Sequence, residues 1–227
     1  MPRRLALIPI LLALSLTSAQ ALEPNLSMSS GSAPGAPSRL VLAQRLFRQA
    51  SQAGDPVLLL AAIRLARGVA LRPAPGWKKQ PPAETGPQDR QGPAEPHDPA
   101  SPEALAVLQG LVADDPDLQD LVYDLDAQLP HGRLPVATVA SSELDSEATE
   151  TWRLPLSGSV TAEIGLLGDN GSLLGLMVSD DSGAVVCRRP ASADPALCRF
   201  TPARNGFFTI LISNAGPGWA RYRLVGN

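Results

Sequence analysis

Histidine and cysteine are scarce, two of each in 227 residues, and aromatic side chains make up only 4 % of the chain. Metal and redox sites built on Cys-x-x-Cys or on cysteines with histidine neighbours are excluded, because Cys187 and Cys198 are neither so spaced nor so accompanied. His97 lies in a proline-rich stretch and His131 beside Gly132, and neither setting offers the rigid surroundings a general base needs. No serine stands in Gly-x-Ser-x-Gly or Ser-x-x-Lys. Too few aromatics remain for a sugar-cleaving groove. Positive charge is not in excess either: the net charge is −3 and the arginines are scattered, which argues against nucleic acid as a partner. Beyond the first 21 residues no apolar run can span a bilayer, since the run over 57–71 is interrupted by Arg64 and Arg67.

What is present begins with an address. Arg3 and Arg4, the apolar run over 5–16 and the small-x-small site Ala19-Gln20-Ala21 form a secretory signal, with cleavage expected after Ala21. Export places the rest in the periplasm or outside the cell, where Cys187 and Cys198 are expected to form a disulfide. Removal of Arg3 and Arg4 takes the charge from −3 to −5, and about 206 of the 227 residues remain, with no membrane insertion expected of them. That length suits one large or two small domains. Alanine and leucine dominate the first half and aromatics the last third, so helices followed by strands are expected.

Residues 22–38 are rich in Ser, Gly and Pro and read as a flexible leader. A helical domain is expected over 39–129. Leu42, Leu46 and Phe47 recur at helical spacing, and Asp55-Pro56 starts a second helix with Asp55 as N-cap. Residues 73–100 are dense in proline and read as a structureless insertion. Ser101-Pro102 and Asp115-Pro116 open two further helices. These two hairpins resemble tetratricopeptide repeats in their Asp-Pro turns, but the turns lie about 60 residues apart against roughly 34. A small antiparallel bundle is the simpler expectation. Residues 130–150 read as a linker or an opening strand.

From 151 to 227 the period changes to two. Val160, Ala162, Ile164 and Leu166 alternate, then Leu174, Leu176 and Val178, then Phe208, Ile210 and Ile212, then Tyr222 and Leu224, with Gly-, Asn- and Asp-rich turns between. The fold class is therefore α+β in two parts: a helical bundle of two hairpins, then an antiparallel β-sandwich. Trp152-Arg153-Leu154-Pro155-Leu156, the run 176–183, the run 200–210 with Arg204-Asn205-Gly206-Phe207-Phe208, and Tyr222-Arg223-Leu224 together resemble the bacterial pre-peptidase C-terminal domain. The resemblance covers the C-terminal third and implies a jelly-roll-like sandwich appended to secreted proteins. Leu173-Leu174-Gly175-Leu176 stands where that family carries Asp-Leu-Asp, and no peptidase domain precedes it.

No catalytic residue is assigned and no cofactor is expected. Asp169, Asp180, Asp181 and Asp194 are candidates for calcium at the loop ends, although turn chemistry explains them without an ion. Trp219, between Gly218 and Ala220, is a candidate contact for a ligand or partner, or a plug at the end of the core. The expectation is an exported, non-catalytic binding or scaffolding protein of the cell envelope, with an envelope protein or a glycan as partner. The alternatives are a secreted hydrolase or accessory module using the acidic loops, and a peptide-binding adaptor built on the helices.

Overall fold

The computed structural model describes residues 23–28, 33–80, 98–127, 134–169 and 171–227; the signal segment, its cut after Ala21, His97 and His131 lie outside them. Four helices come first or nearly so: α1 (Ala36–Ala53), α2 (Pro56–Arg67), α3 (Pro102–Leu111) and α4 (Pro116–Ala127). Each of the last three starts as local chemistry dictates, a side-chain oxygen accepting an otherwise unpaired amide of the first turn. Asp55 accepts from the Leu58 amide at 3.0 Å, Ser101 from Ala104 at 3.1 Å and Asp115 from Leu118 at 3.1 Å. The break after α1 is made by Gly54 in the left-handed conformation, φ 65°.

Among the described residues, ten strands form two five-stranded sheets. The inner sheet has the order β1 (Ala70–Pro73), β3 (Val136–Leu144), β10 (Ala220–Gly226), β5 (Ala162–Gly168), β8 (Ala196–Phe200). The outer sheet has the order β2 (Lys78–Lys79), β4 (Thr149–Leu156), β9 (Gly206–Asn214), β6 (Leu174–Ser179), β7 (Val185–Ser192). Neighbours are antiparallel except β1 with β3. Alternation puts Leu154, Phe208, Ile210 and Ile212 of the outer sheet against Ile164, Leu166, Tyr222 and Leu224 of the inner one, all fully buried. Phe200 and Phe208 meet with ring centroids 5.4 Å apart.

The helices form a third layer on the other face of the inner sheet. Leu40 and Val41 of α1 pack on Ala137, Leu167 and Val225, while Phe47 and Ala50 join Leu59, Ile63 and Leu108 in a core among the helices. The approach is close at Gly165, where a Cβ would lie 2.8 Å from Val225 and 3.0 Å from Val41. α1 has no cap of its own. The buried Glu163 of β5 accepts instead from the Gly35 amide at 3.0 Å and the Ser38 amide at 3.1 Å, and pairs with Arg199 at 3.2 Å. A carboxylate here meets the positive end of the helix dipole. Glu163→Gln keeps an acceptor and loses the charge, and should cost about 1–2 kcal/mol in denaturant unfolding. A loss below about 0.5 kcal/mol would show that Pro37 and packing start the helix unaided.

Both open edges of the sandwich are bridged. At one, a disulfide joins Cys187 of β7 to Cys198 of β8, Cα atoms 5.9 Å apart, linking outer sheet to inner. Arg45 of α1 donates to the Pro195 carbonyl at 2.9 Å and Arg48 to that of Ala193, so the helix also grips the β7–β8 turn. At the other edge the chain passes from β1 to β2 through residues 74–77, and the Trp77 ring lies where a Cβ on Gly226 would meet it at 2.8 Å.

Two boundaries differ from the sequence reading, and in a third segment one of its two alternatives is the one observed. The expected structureless stretch 73–100 contributes Pro73 to β1 and all of β2; strands of four and two residues at sheet edges tolerate proline, because one side of their backbone needs no ladder partner. The expected leader 22–38 is held at residues 23–28, where Asn25 is buried, and α1 begins at Ala36 rather than 39. Within the expected linker 130–150 lies β3, an opening strand of nine residues. No helix of the described residues is long and apolar enough to cross a membrane.

Candidate functional site

The acidic loop residues do not converge. Among the described residues no three His, Cys, Asp or Glu side chains are placed to share a metal ion. Asp180 is buried and its carboxylate is taken up by internal donors: the Asn25 amide at 2.6 Å, Ser182 Oγ at 2.6 Å, the Ser182 amide at 2.9 Å and the Ala184 amide at 3.0 Å. Asn25 in turn reads the backbone of Arg204 in both directions, at 3.0 and 3.1 Å. Asp169 accepts from the Arg221 amide at 3.1 Å, Asp181 pairs with Arg204 at 3.4 Å, and Asp194 with Arg48 at 3.6 Å. These carboxylates fasten segments to one another, as turn and strap acceptors do.

Burial by itself would raise the Asp180 pKa, but the bonds from Ser182, Asn25 and Ala184 outweigh it and hold the carboxyl below its ordinary 3.8. The contribution of Asp180 is therefore complete above about pH 4 and lost as pH falls through the lowered folded value. Asp180→Asn should cost about 1–2 kcal/mol at pH 7 and flatten the acid limb of a stability–pH curve measured by urea unfolding. An unchanged acid limb would mean that the Asn25 strap does not depend on the charge.

Trp219 is half-buried, with the Arg221 guanidinium 5.6 Å from its ring centroid. Arg221 is held in place by Glu143 at 3.1 Å. The ring is thus covered on one side by the chain itself.

One polar cluster was not legible in the sequence. Glu150 of β4 points between the sheets and is buried. It accepts from the Tyr222 hydroxyl, pairs with Lys79 of β2, and accepts from Ser142 Oγ at 3.3 Å. Trp152 Nε1 donates to the Tyr222 oxygen at 2.7 Å, and Lys79 Nζ donates to Ser142 at 2.9 Å. Burial pushes the Tyr222 hydroxyl up to about 12, against the opposing pull of Trp152 and Ser142, so it stays protonated and donates. The cluster joins β2 and β4 of one sheet to β3 and β10 of the other. Its carboxylate is closed off from solvent, so it serves cohesion rather than substrate.

Among the described residues no helix packs on the outward face of the outer sheet. Alternation and register place Arg153, Phe207, Leu211 and Met177 there, opposite the buried Trp152, Leu154, Phe208 and Ile210. Phe207 is 47 % exposed, and the Arg153 guanidinium stacks on its ring 4.2 Å from the centroid. A guanidinium in this position adds a cation–π contact to the exposed ring. Lys78 stands directly opposite Arg153, and Arg188 opposite Met177 at the far edge. Thr151, Thr209 and Ser179 lie between. The aspect is flat, half-apolar and rich in hydroxyls.

Comparison with known proteins finds no matching family model and no matching curated protein. Among solved structures, the pre-peptidase C-terminal domain of a collagenase from Bacillus anthracis is similar over 40 % of this chain and 88 % of its own, at 15 % identity and TM-score 0.34. The Yersinia pseudotuberculosis-derived mitogen is similar over 40 % of this chain and 84 % of its own, at 10 % identity and TM-score 0.29. The Clostridium thermocellum xylanase 10B, solved as CBM22-1–GH10 modules with xylohexaose, is similar over 38 % of this chain and 24 % of its own, at 10 % identity and TM-score 0.25. The likeness to a pre-peptidase C-terminal domain drawn from the sequence thus recurs in three dimensions, as a loose one.

Proposed function

We propose that this chain is an exported, non-catalytic binding protein of the cell envelope that presents the free face of its outer sheet to a glycan. The observation that carries the reading is the asymmetry of the sandwich. The inner sheet carries α1, whereas the outer sheet holds an exposed phenyl ring under an arginine among threonine and serine hydroxyls. Such a face sets the exposed part of the Phe207 ring and the Arg153 guanidinium beside it against a sugar, with threonine and serine hydroxyls to meet its own. The hydrolase alternative is weakened by Asp180, whose lone pairs are engaged within the fold.

The test is affinity for immobilised plant and bacterial polysaccharides, wild type against Phe207→Ala. The variant should bind at least tenfold more weakly with an unchanged unfolding midpoint, since removing an exposed ring costs little stability. Equal binding by the two proteins would sink the reading.

A second reading rests on the helices. Tyr123 is 74 % exposed at a groove of about 410 Å³ between α3 and α4, which Val112 and Val122 also line. That face fits a protein partner, and the helix variant Tyr123→Ser would lower such binding without touching glycan affinity.

A further inference from the structure

Charge is sorted on the free face of the outer sheet in a way the composition does not foreshadow. The chain has 22 acidic against 19 basic residues. Yet the outward positions of β2, β4, β9, β6 and β7 carry Lys78, Arg153 and Arg188 and no aspartate or glutamate. All three cations are exposed. Among the described residues neither Lys78 nor Arg188 has a carboxylate partner, and Arg153 is engaged only with the Phe207 ring. The carboxylate at the rim, Asp181, is already paired with Arg204.

Deepening the glycan reading and resting on it, we propose that the ligand is an acidic polysaccharide, a sugar chain bearing carboxylates or other anionic groups at intervals. It lies across the strands, from the Lys78–Arg153 pair on one edge to Arg188 on the other. The register sets the spacing. Lys78 and Arg153 are cross-strand neighbours, and Arg188 stands four strands from Lys78, about 19 Å across the sheet at roughly 4.8 Å per strand, and two residues along the strands. A pair of cations thus stands at one end of the path and a single one at the other, and Leu211 and Met177 lie between them with Thr209 and Ser179. A polymer with charges at intervals and neutral ring faces between matches that sequence of groups. Arg153 lies over Phe207 with its guanidinium carbon 4.2 Å from the ring centroid, and a guanidinium can meet a carboxylate with two N–H groups where lysine cannot.

Other polyanions fit less well. Nucleic acid binding draws its strength from neutralising phosphates in number, commonly 6–10 contacts, and three cations spread over five strands release few counterions. Anionic membranes are recognised by clusters of about 4–8 lysines and arginines. Few, widely spaced cations with hydroxyls between them suit a sugar polymer of moderate charge.

The test uses the full exported chain with polygalacturonate as the acidic probe and neutral galactan as its uncharged counterpart, in 50 mM and 500 mM NaCl. Phosphatidylglycerol–phosphatidylcholine vesicles (1:3) and duplex DNA serve as competitors of other classes. Polygalacturonate is expected to bind at least tenfold more tightly than galactan at low salt, and the preference should shrink at high salt. Arg153→Gln/Arg188→Gln should abolish the preference, whereas the charge-matched control Arg39→Gln/Arg64→Gln on the helices should retain it. Equal binding of the two polysaccharides, or a preference that survives Arg153→Gln/Arg188→Gln, would overturn the inference and leave the glycan reading standing. Tighter binding of vesicles or DNA than of polygalacturonate would overturn the inference as well. Binding of no polysaccharide of either charge would overturn the glycan reading itself.

Discussion

Lys79→Met is expected to lower stability by about 3 kcal/mol, the low end for breaking a buried ion pair, because the Lys79 side chain keeps 39 % exposure while Glu150 keeps 2 %. Among the described residues the ammonium is the only cation on the Glu150 carboxylate, whose other contacts are the hydroxyls of Tyr222 and Ser142. Methionine fills most of the volume of the lysine stem, so the loss reports the charge rather than a cavity. In a domain of this size it should appear as a fall of roughly 6–12 °C in the unfolding midpoint. The informative companion is Lys79→Met/Glu150→Gln. Removing both charges should recover much of the stability, because a buried pair held by charge alone is often replaceable by uncharged groups. A double variant no better than Lys79→Met would mean that β2 is held by something other than its pairing with Glu150.

Breaking the disulfide is the second large effect. Cys187 and Cys198 are 11 residues apart, and the loop-entropy estimate for such a closure is about 3 kcal/mol. Cys187→Ala/Cys198→Ala removes that constraint and two buried or half-buried sulfurs, so a loss of about 3 kcal/mol is expected in urea unfolding. Reduction of the wild type should give a similar loss without the change in packing. Since β7 and β8 belong to different sheets, the edge between them should exchange amide protons faster before the core does. Uniform exchange across both sheets would contradict a stapling role for the bond.

Legibility in the sequence followed locality. Asp55, Ser101 and Asp115 announce their helices because a cap is complete within three residues. β5, β6, β9 and β10 were visible because alternation is written along each strand. What escaped depends on partners far away. α1 begins where Glu163 meets it, 125 residues on, and Asn25 is fixed by Asp180 and Arg204. β1 and β2 are too short to show a period, and Pro73 speaks against a strand unless its edge position is known. The free face of the outer sheet has no local signature either. Arg153 and Phe207 are 54 positions apart and become neighbours only once β4 and β9 are in register. Asp169, Asp180 and Asp181 attracted attention as ligands because turn acceptors and metal ligands are the same residue types.

β10, the last of the described strands in chain order, sits in the middle of the inner sheet between β3 and β5. Neither of those neighbours can complete its ladder until residues 220–226 are in place, so this sheet closes late in folding and keeps an apolar half open until then. Removing β10 would leave β3 and β5 facing each other across a gap.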